Sequence, residues 1–180
     1  MVGKWVLEEA KKRPTSASQG ETGEDFEYEL IDLRDWDLPF YNELDSPNYL
    51  DGKFSIDLAI KWGAKIAEAD GFIIVTPEYN HGYPAVLKNA LDYAYDGWNR
   101  KPVSFVSYGG SAAGARAVEQ LRQVVIELQM APVRTALAIG MRSKPFDEQG
   151  KLADESLNKR LEPVLDDLEW WTKVLKAARA

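Results

Sequence analysis

Three short apolar runs lie between longer stretches in which apolar residues recur every three or four positions. They are Phe72-Ile73-Ile74-Val75-Thr76, Val103-Ser104-Phe105-Val106-Ser107, and Val133 to Ile139. An unbroken apolar run suits a strand covered on both faces, and the longer repeat suits a helix with one buried side. Parallel strands cannot be joined by a tight turn and take a crossover, usually a helix. The alternation therefore predicts an α/β fold with helices layered on a parallel sheet. No internal repeat interrupts it. The 180 residues are enough for one core, so residues 1–180 read as a single domain.

The elements follow in order. Residues 2–13 read as a helix carrying Val2, Trp5 and Val6, closed by Lys11, Lys12, Arg13 and Pro14. Residues 14–25, rich in Ser, Thr and Gly, read as a surface loop. Phe26, Tyr28 and Leu30 alternate with Glu27 and Glu29, which is strand spacing over 26–31. Residues 33–52 read as a long irregular connection that packs down through Trp36, Leu38, Phe40 and Tyr41. Helices are expected over 53–69, 84–95 and 115–129, and a last amphipathic one over 154–178 that takes Trp170 and Trp171 into the core. The helix over 84–95 is apolar on more than one side, which marks it for burial and, since it follows a loop at the sheet rim, for a subunit contact.

Composition excludes several chemistries. With no cysteine and one histidine, thiolate metal sites, multi-histidine metal sites and cysteine nucleophiles are ruled out. A formal charge of −7 argues against a nucleic-acid surface, which needs clustered Lys and Arg. No apolar run has membrane-spanning length and Met1 opens no signal-peptide pattern, so the expectation is a soluble protein of the cytoplasm.

In open parallel sheets ligands sit beyond the carboxyl ends of the strands. Two loops leave such ends, Thr76 to Pro84 and Ser107 to Gly114. Their glycines let backbone approach a flat ligand, and Tyr79, Tyr83 and Tyr108 offer flat walls. Neither loop has the spacing of GxxxxGK[ST], GxGxxG or GxSxG, so nucleotide-phosphate grips and a serine nucleophile elbow are not indicated.

The segments VTPEYNHGYPAVLKNALDY and FVSYGGSAAGARAVEQLRQV, in that order and spacing, resemble the NADPH-dependent FMN reductase family of flavodoxin-like proteins, which includes quinone, chromate and azo-dye reductases. The resemblance implies a flavodoxin-like three-layer α/β/α fold with FMN at the strand ends. It implies transfer of hydride from NADPH to FMN and on to a small oxidant, so that the flavin does the chemistry and no side chain is assigned as catalytic. Carried over by position, Pro77, Glu78, Tyr79, Asn80, His81 and Gly82 border one edge of the ring, mostly through backbone amides, and Ser107, Tyr108, Gly109 and Gly110 border the other. It also implies a homodimer or homotetramer built around the helix over 84–95. The other reading is a flavin-free, non-catalytic oligomer of the same descent.

In the family a strand and a phosphate-wrapping loop of the type GSxRxxS precede the first helix, and the sequence given opens at Met1-Val2-Gly3-Lys4-Trp5, within what resembles that helix. In the strand order 2-1-3-4-5 that first strand is interior. A buried, unpaired backbone group costs roughly 1–3 kcal/mol. The expectation is therefore a four-stranded sheet, or one completed by pairing 26–31 with 72–76 or by a partner chain, and weaker FMN retention without the loop's bonds. Around the rim, His81 reads as an exposed turn residue or a flavin neighbour, and Glu78 as a flavin-edge group or an ion-pair partner across a subunit interface. Lys88 and Arg116 read as solvated residues or as contacts for an NADPH phosphate, and Tyr83 and Tyr108 as cofactor neighbours or packing residues.

Overall fold

A computed structural model describes residues 1–13 and 26–180; the loop read over 14–25 lies outside the described residues. Strands β1 (Phe72–Pro77), β2 (Pro102–Gly109) and β3 (Ala131–Gly140) form a parallel sheet in that order. Helices α1 (Val2–Lys11) and α2 (Asp57–Glu68) precede it in the chain. Helix α3 (Ala85–Asp92) crosses from β1 to β2, α4 (Ala115–Glu127) crosses from β2 to β3, and α5 (Ser156–Arg179) ends the chain.

The pleat of β2 sorts the core into two halves. Val103 and Phe105 point to one face, where Trp62, Ile66, Leu91, Leu121 and Val125 of α2, α3 and α4 pack. Val106 points to the other, against Trp5 and Val6 of α1 and Leu157, Leu161 and Leu165 of α5. This is the three-layer α/β/α arrangement expected of the flavodoxin-like class. Pro102 to Ser107 of β2 are all buried, because this strand alone has ladder partners on both edges and helices on both faces. Trp62 on α2 closes the first half of the core. Its indole Nε1 donates to the Ala90 carbonyl at 2.7 Å and its ring meets Trp36 edge-on at 5.0 Å.

The described sheet has three strands, not four, and 26–31 is not one of them. Its alternation has another cause. The Tyr28 hydroxyl donates to Glu169 on α5 at 2.7 Å and its ring joins the α1/α5 half of the core. Glu29 accepts from Lys65 on α2 at 2.7 Å, and Ile31 packs into the opposite half. Side chains on alternate sides thus strap an extended chain across two layers with no ladder. Nor does 26–31 pair with 72–76. Among the described residues the outer edge of β1 has no strand beside it. Phe72, Ile73 and Val75 are half-buried there.

Two helix expectations are also corrected. Trp170 is 57% exposed and Trp171 is exposed beside it, because the buried stripe of α5 runs through Leu157, Leu161, Val164, Leu165, Leu168 and Thr172 and leaves both indoles on its outer side. The two rings meet edge-on at 5.0 Å. Helix α3 ends at Asp92, and a separate turn, Asp96–Trp98, follows it. Its Ala90 and Leu91 are buried within the chain, while Val86 is 55% exposed.

At the amino end of the sheet, Lys101 is buried just before β2. Its Nζ donates to the Ile66 and Ala67 carbonyls at 3.2 and 2.9 Å, at the end of α2, where a cation suits the helix dipole. Burial, helped by Arg179 and opposed by Asp70, pulls its pKa down from 10.5 to about 8. Between those two values the unfolded chain binds a proton that the folded chain does not, so stability rises with pH across that window. Denaturant midpoints are expected to climb from pH 8 to about 9.5 in the native chain. The climb is expected to flatten in Lys101→Met; an equal climb in that variant would refute the assignment.

Candidate functional site

The register of β1 on β2 pairs Thr76 with Ser107 and Pro77 with Tyr108, so both strands deliver their following loops to the same rim. The Glu78 amide donates to the Tyr108 carbonyl at 3.0 Å and extends the ladder one step past β1. The first loop then folds back on itself. Tyr79 N donates to Gly82 O at 2.9 Å, and Gly82 N donates to Tyr79 O at 3.0 Å. Between them Asn80 and His81 have φ of 49° and 70°, the two left-handed positions of a type I′ turn. The Gln120 side chain on α4 donates to the His81 carbonyl at 2.9 Å and holds the tip.

The second loop is built on close approach. Ser107 Oγ donates to the Ala113 carbonyl at 3.0 Å, and Ala113 N donates to Gly110 O at 3.2 Å. Gly114, with φ of 88°, precedes α4; a Cβ there would stand 2.6 Å from the Ser107 Cβ and 2.9 Å from the Tyr108 nitrogen. No side chain fits that position. A Cβ on Gly109 would stand 3.5 Å from the Glu78 Cβ, so the two loops touch. At Gly110 a Cβ would meet nothing within 4 Å, and φ there is not in the left-handed range.

Glu78 points away from solvent, with its side chain 6% exposed. Its carboxylate accepts from the Arg116 amide at 3.2 Å and from Arg116 Nε at 2.6 Å, and the guanidinium adds a further contact. The Arg116 side chain, together with backbone N–H groups of the first turn of α4, holds its pKa below the ordinary carboxylate value. The ion pair expected across a subunit interface thus lies inside one chain. Lys88 is likewise committed, donating to Asp92 at 2.6 and 2.8 Å one turn along α3.

The ten residues singled out by sequence gather at one rim but differ in orientation. Asn80, His81 and Gly110 are exposed, and Tyr79 is 65% exposed. Pro77, Gly82, Tyr108 and Gly109 are half-buried. Ser107 is buried and holds the second loop from beneath. Tyr108 packs partly on the α1/α5 half of the core, and burial, with Tyr79 nearby, pushes its hydroxyl pKa up. Tyr83 packs on the other half. Sequence reading missed Gln120. The signal was its place four residues after Arg116, which puts both on one side of α4. Among the described residues, the amides of Asn80, Gly110 and Ser111 donate to no protein acceptor. The rim therefore offers free N–H donors, open space beside Gly110 and two tyrosine rings. Two surface clefts lie elsewhere, one between α1 and α5 and one between α1 and residues 148–158.

Replacing Gly114 by Ala forces both a left-handed backbone and an overlap with Ser107, and is expected to cost about 2–4 kcal/mol in denaturant unfolding. Gly110→Ala, placed in open space, is expected to stay within about 0.5 kcal/mol of the native chain. Equal losses for the two would contradict the loop geometry.

The sequence model of the NADPH-dependent FMN reductase family matches residues 1–144. The chain is 45% identical over 132 residues to an NAD(P)H-dependent FMN reductase of Schizosaccharomyces pombe, covering 70% of this chain and 66% of that protein. It is 39% identical over 115 residues to an NADPH:quinone oxidoreductase of Arabidopsis thaliana, covering 60% and 58%. It thus spans less than two thirds of the length of each of these two relatives. Among solved structures it is similar to the flavoenzyme NAD(P)H:(acceptor) oxidoreductase FerB of Paracoccus denitrificans, with a TM-score of 0.66 at 24% identity, covering 82% of this chain and 80% of that one. That likeness speaks for the fold.

Proposed function

The chain belongs to the NADPH-dependent FMN reductase family, and on that premise we propose that it is an NAD(P)H-dependent flavin and quinone reductase that holds FMN against residues 77–82 and 107–110. The observation that carries this reading is the contact between the two loops, with unpartnered amides at Asn80, Gly110 and Ser111 and free space beside Gly110. A planar ring needs such an edge-on approach of backbone, and N–H donors favour a ring that gains electrons. Bound there, FMN would supply the redox chemistry, by which the hydride of NADPH, with one further proton from solvent, would reduce a quinone or a similar small oxidant.

The residues of this chain have narrower tasks. The type I′ turn presents its tip amides, the tyrosine rings of Tyr79 and Tyr108 supply flat apolar surface, and Ser107 and Gly114 hold the second loop close. The names of the fungal and plant relatives support a flavin or quinone as the oxidised substrate. Among the described residues no helix is long and apolar enough to cross a membrane, and a cytoplasmic setting with its NADPH pool suits the reading.

A second copy packs over α3 in this proposal. Phe40 is 83% exposed and Val86 on α3 is 55% exposed, and the loop that carries Phe40 is fastened to α3, where Tyr41 N donates to Asn89 Oδ1 at 2.9 Å and Asn89 Nδ2 donates to the Pro39 carbonyl at 2.8 Å. Phe40→Ser combined with Val86→Asp is expected to lower the sedimenting mass to that of one chain. A native chain that already sediments as a monomer would refute the oligomer.

Titrating FMN into the native chain is expected to quench flavin fluorescence to saturation, and the loaded protein to oxidise NADPH when a quinone is present. Gly110→Val is expected to weaken FMN binding at least tenfold with its melting temperature unchanged. Unquenched flavin at stoichiometric concentrations, or a variant that binds as the native chain does, would overturn the assignment.

A further inference from the structure

Glu78 stands in the middle of the rim and faces inward. The N-terminus of α4 explains why. The first amides of a helix lack partners within it, and a capping side chain normally accepts from them. The residue that precedes α4 is Gly114, which has no side chain, and the first turn contains no acidic residue. Close packing on Ser107 excludes any other residue at Gly114, so the helix cannot carry its own cap. The acceptor comes instead from the neighbouring loop, as the Glu78 carboxylate takes the Arg116 amide and the Arg116 guanidinium.

We propose that Glu78 and Arg116 are positioning residues, whose bond joins the first loop to the start of α4 and thereby sets the spacing of the two loops and the affinity of the rim for FMN. The proposal rests on the functional reading above. Three ties then fix the first loop to the second loop and its helix. The Glu78 amide bonds Tyr108, the Glu78 carboxylate bonds Arg116, and Gln120 bonds His81. The carboxylate is the one tie in which an ionised group meets both a backbone amide and a cation, and charge-assisted bonds of this kind are the strong ones. Arg116 and Lys88 each meet a carboxylate of their own chain, Glu78 and Asp92.

Because an amide end needs an acceptor, the pair is directional. Exchanging its two charges keeps a salt bridge but places a guanidinium against N–H donors. A plain ion pair would tolerate that exchange.

The test measures FMN dissociation constants by fluorescence quenching, with melting temperatures alongside, for the native chain, Glu78→Gln, Arg116→Gln and the exchange Glu78→Arg with Arg116→Glu. Glu78→Gln is expected to raise the dissociation constant tenfold or more. Arg116→Gln, which leaves the carboxylate on the backbone amides, is expected to raise it less and serves if Glu78→Gln fails to fold. The exchange is expected not to restore binding. The difference in FMN affinity between the native chain and Glu78→Gln is expected to shrink only as Glu78 is protonated, below the ordinary carboxylate value. The groups that face Glu78 are Arg116 from α4 and the Tyr108 backbone from β2, with Tyr79 and His81 next along its own loop. Native affinity and an unchanged pH profile in Glu78→Gln, or rescue by the exchange, would overturn the proposal while leaving the flavin reading intact. A native chain that leaves FMN unbound would bring down both.

Discussion

The in-register parallel pairing of β1 with β2 is the constraint on which the rest of this structure depends. Neighbouring strands lie about 4.8 Å apart, so two loops that leave paired residues start within hydrogen-bond reach of each other. Pro77 opposite Tyr108 is that starting point, and the Glu78 amide uses it at once by bonding the Tyr108 carbonyl. The pairing is itself secured by β2, whose Val103 and Phe105 enter one half of the core and whose Val106 enters the other. A register shift of one residue would reverse those faces, so burial on both sides of β2 locks the rim in place.

The rim works mainly through backbone, and its side chains act as braces. Ser107 holds the second loop from below, Gln120 holds the turn tip, and Glu78 spans from one loop to the helix after the other. Gly114 is small because neighbouring atoms leave no room, a Cβ on Gly109 would crowd the Gly114 nitrogen at 3.2 Å, and Gly110 is small beside open space. A composition with no cysteine and one histidine is compatible with the proposed function, since a bound flavin would supply the reactivity and the chain would need only to shape and brace its site.

Apolar runs and helical repeats were legible because they reflect burial by layers, a property of each segment that hardly depends on which neighbour covers it. The strands at 72–77, 102–109 and 131–140 were found for that reason. The misreading of 26–31 shows the limit. Alternation at Tyr28, Glu29 and Ile31 arises from side chains that reach different layers, and a periodicity of two cannot tell that from a ladder. Trp170 and Trp171 mislead in a similar way, since Leu168 and Thr172 hold the buried stripe one turn apart and leave the two residues between them on the outer side of the helix.

Residue types and their order were enough to place two glycine- and tyrosine-bearing loops after strands of one parallel sheet, because chain order and connection rules leave few arrangements of such a sheet. The resemblance of those two segments to the FMN reductases is the ground on which FMN is proposed as their ligand. Folding in three dimensions settled the role of each group. It turned Glu78 inward to a helix that could not cap itself, brought Gln120 to a turn 39 positions away, and buried Ser107 beneath a loop that it supports. Those roles depend on distances across the sheet and between layers, which arise only when separate segments are packed together and are written in no single stretch of chain.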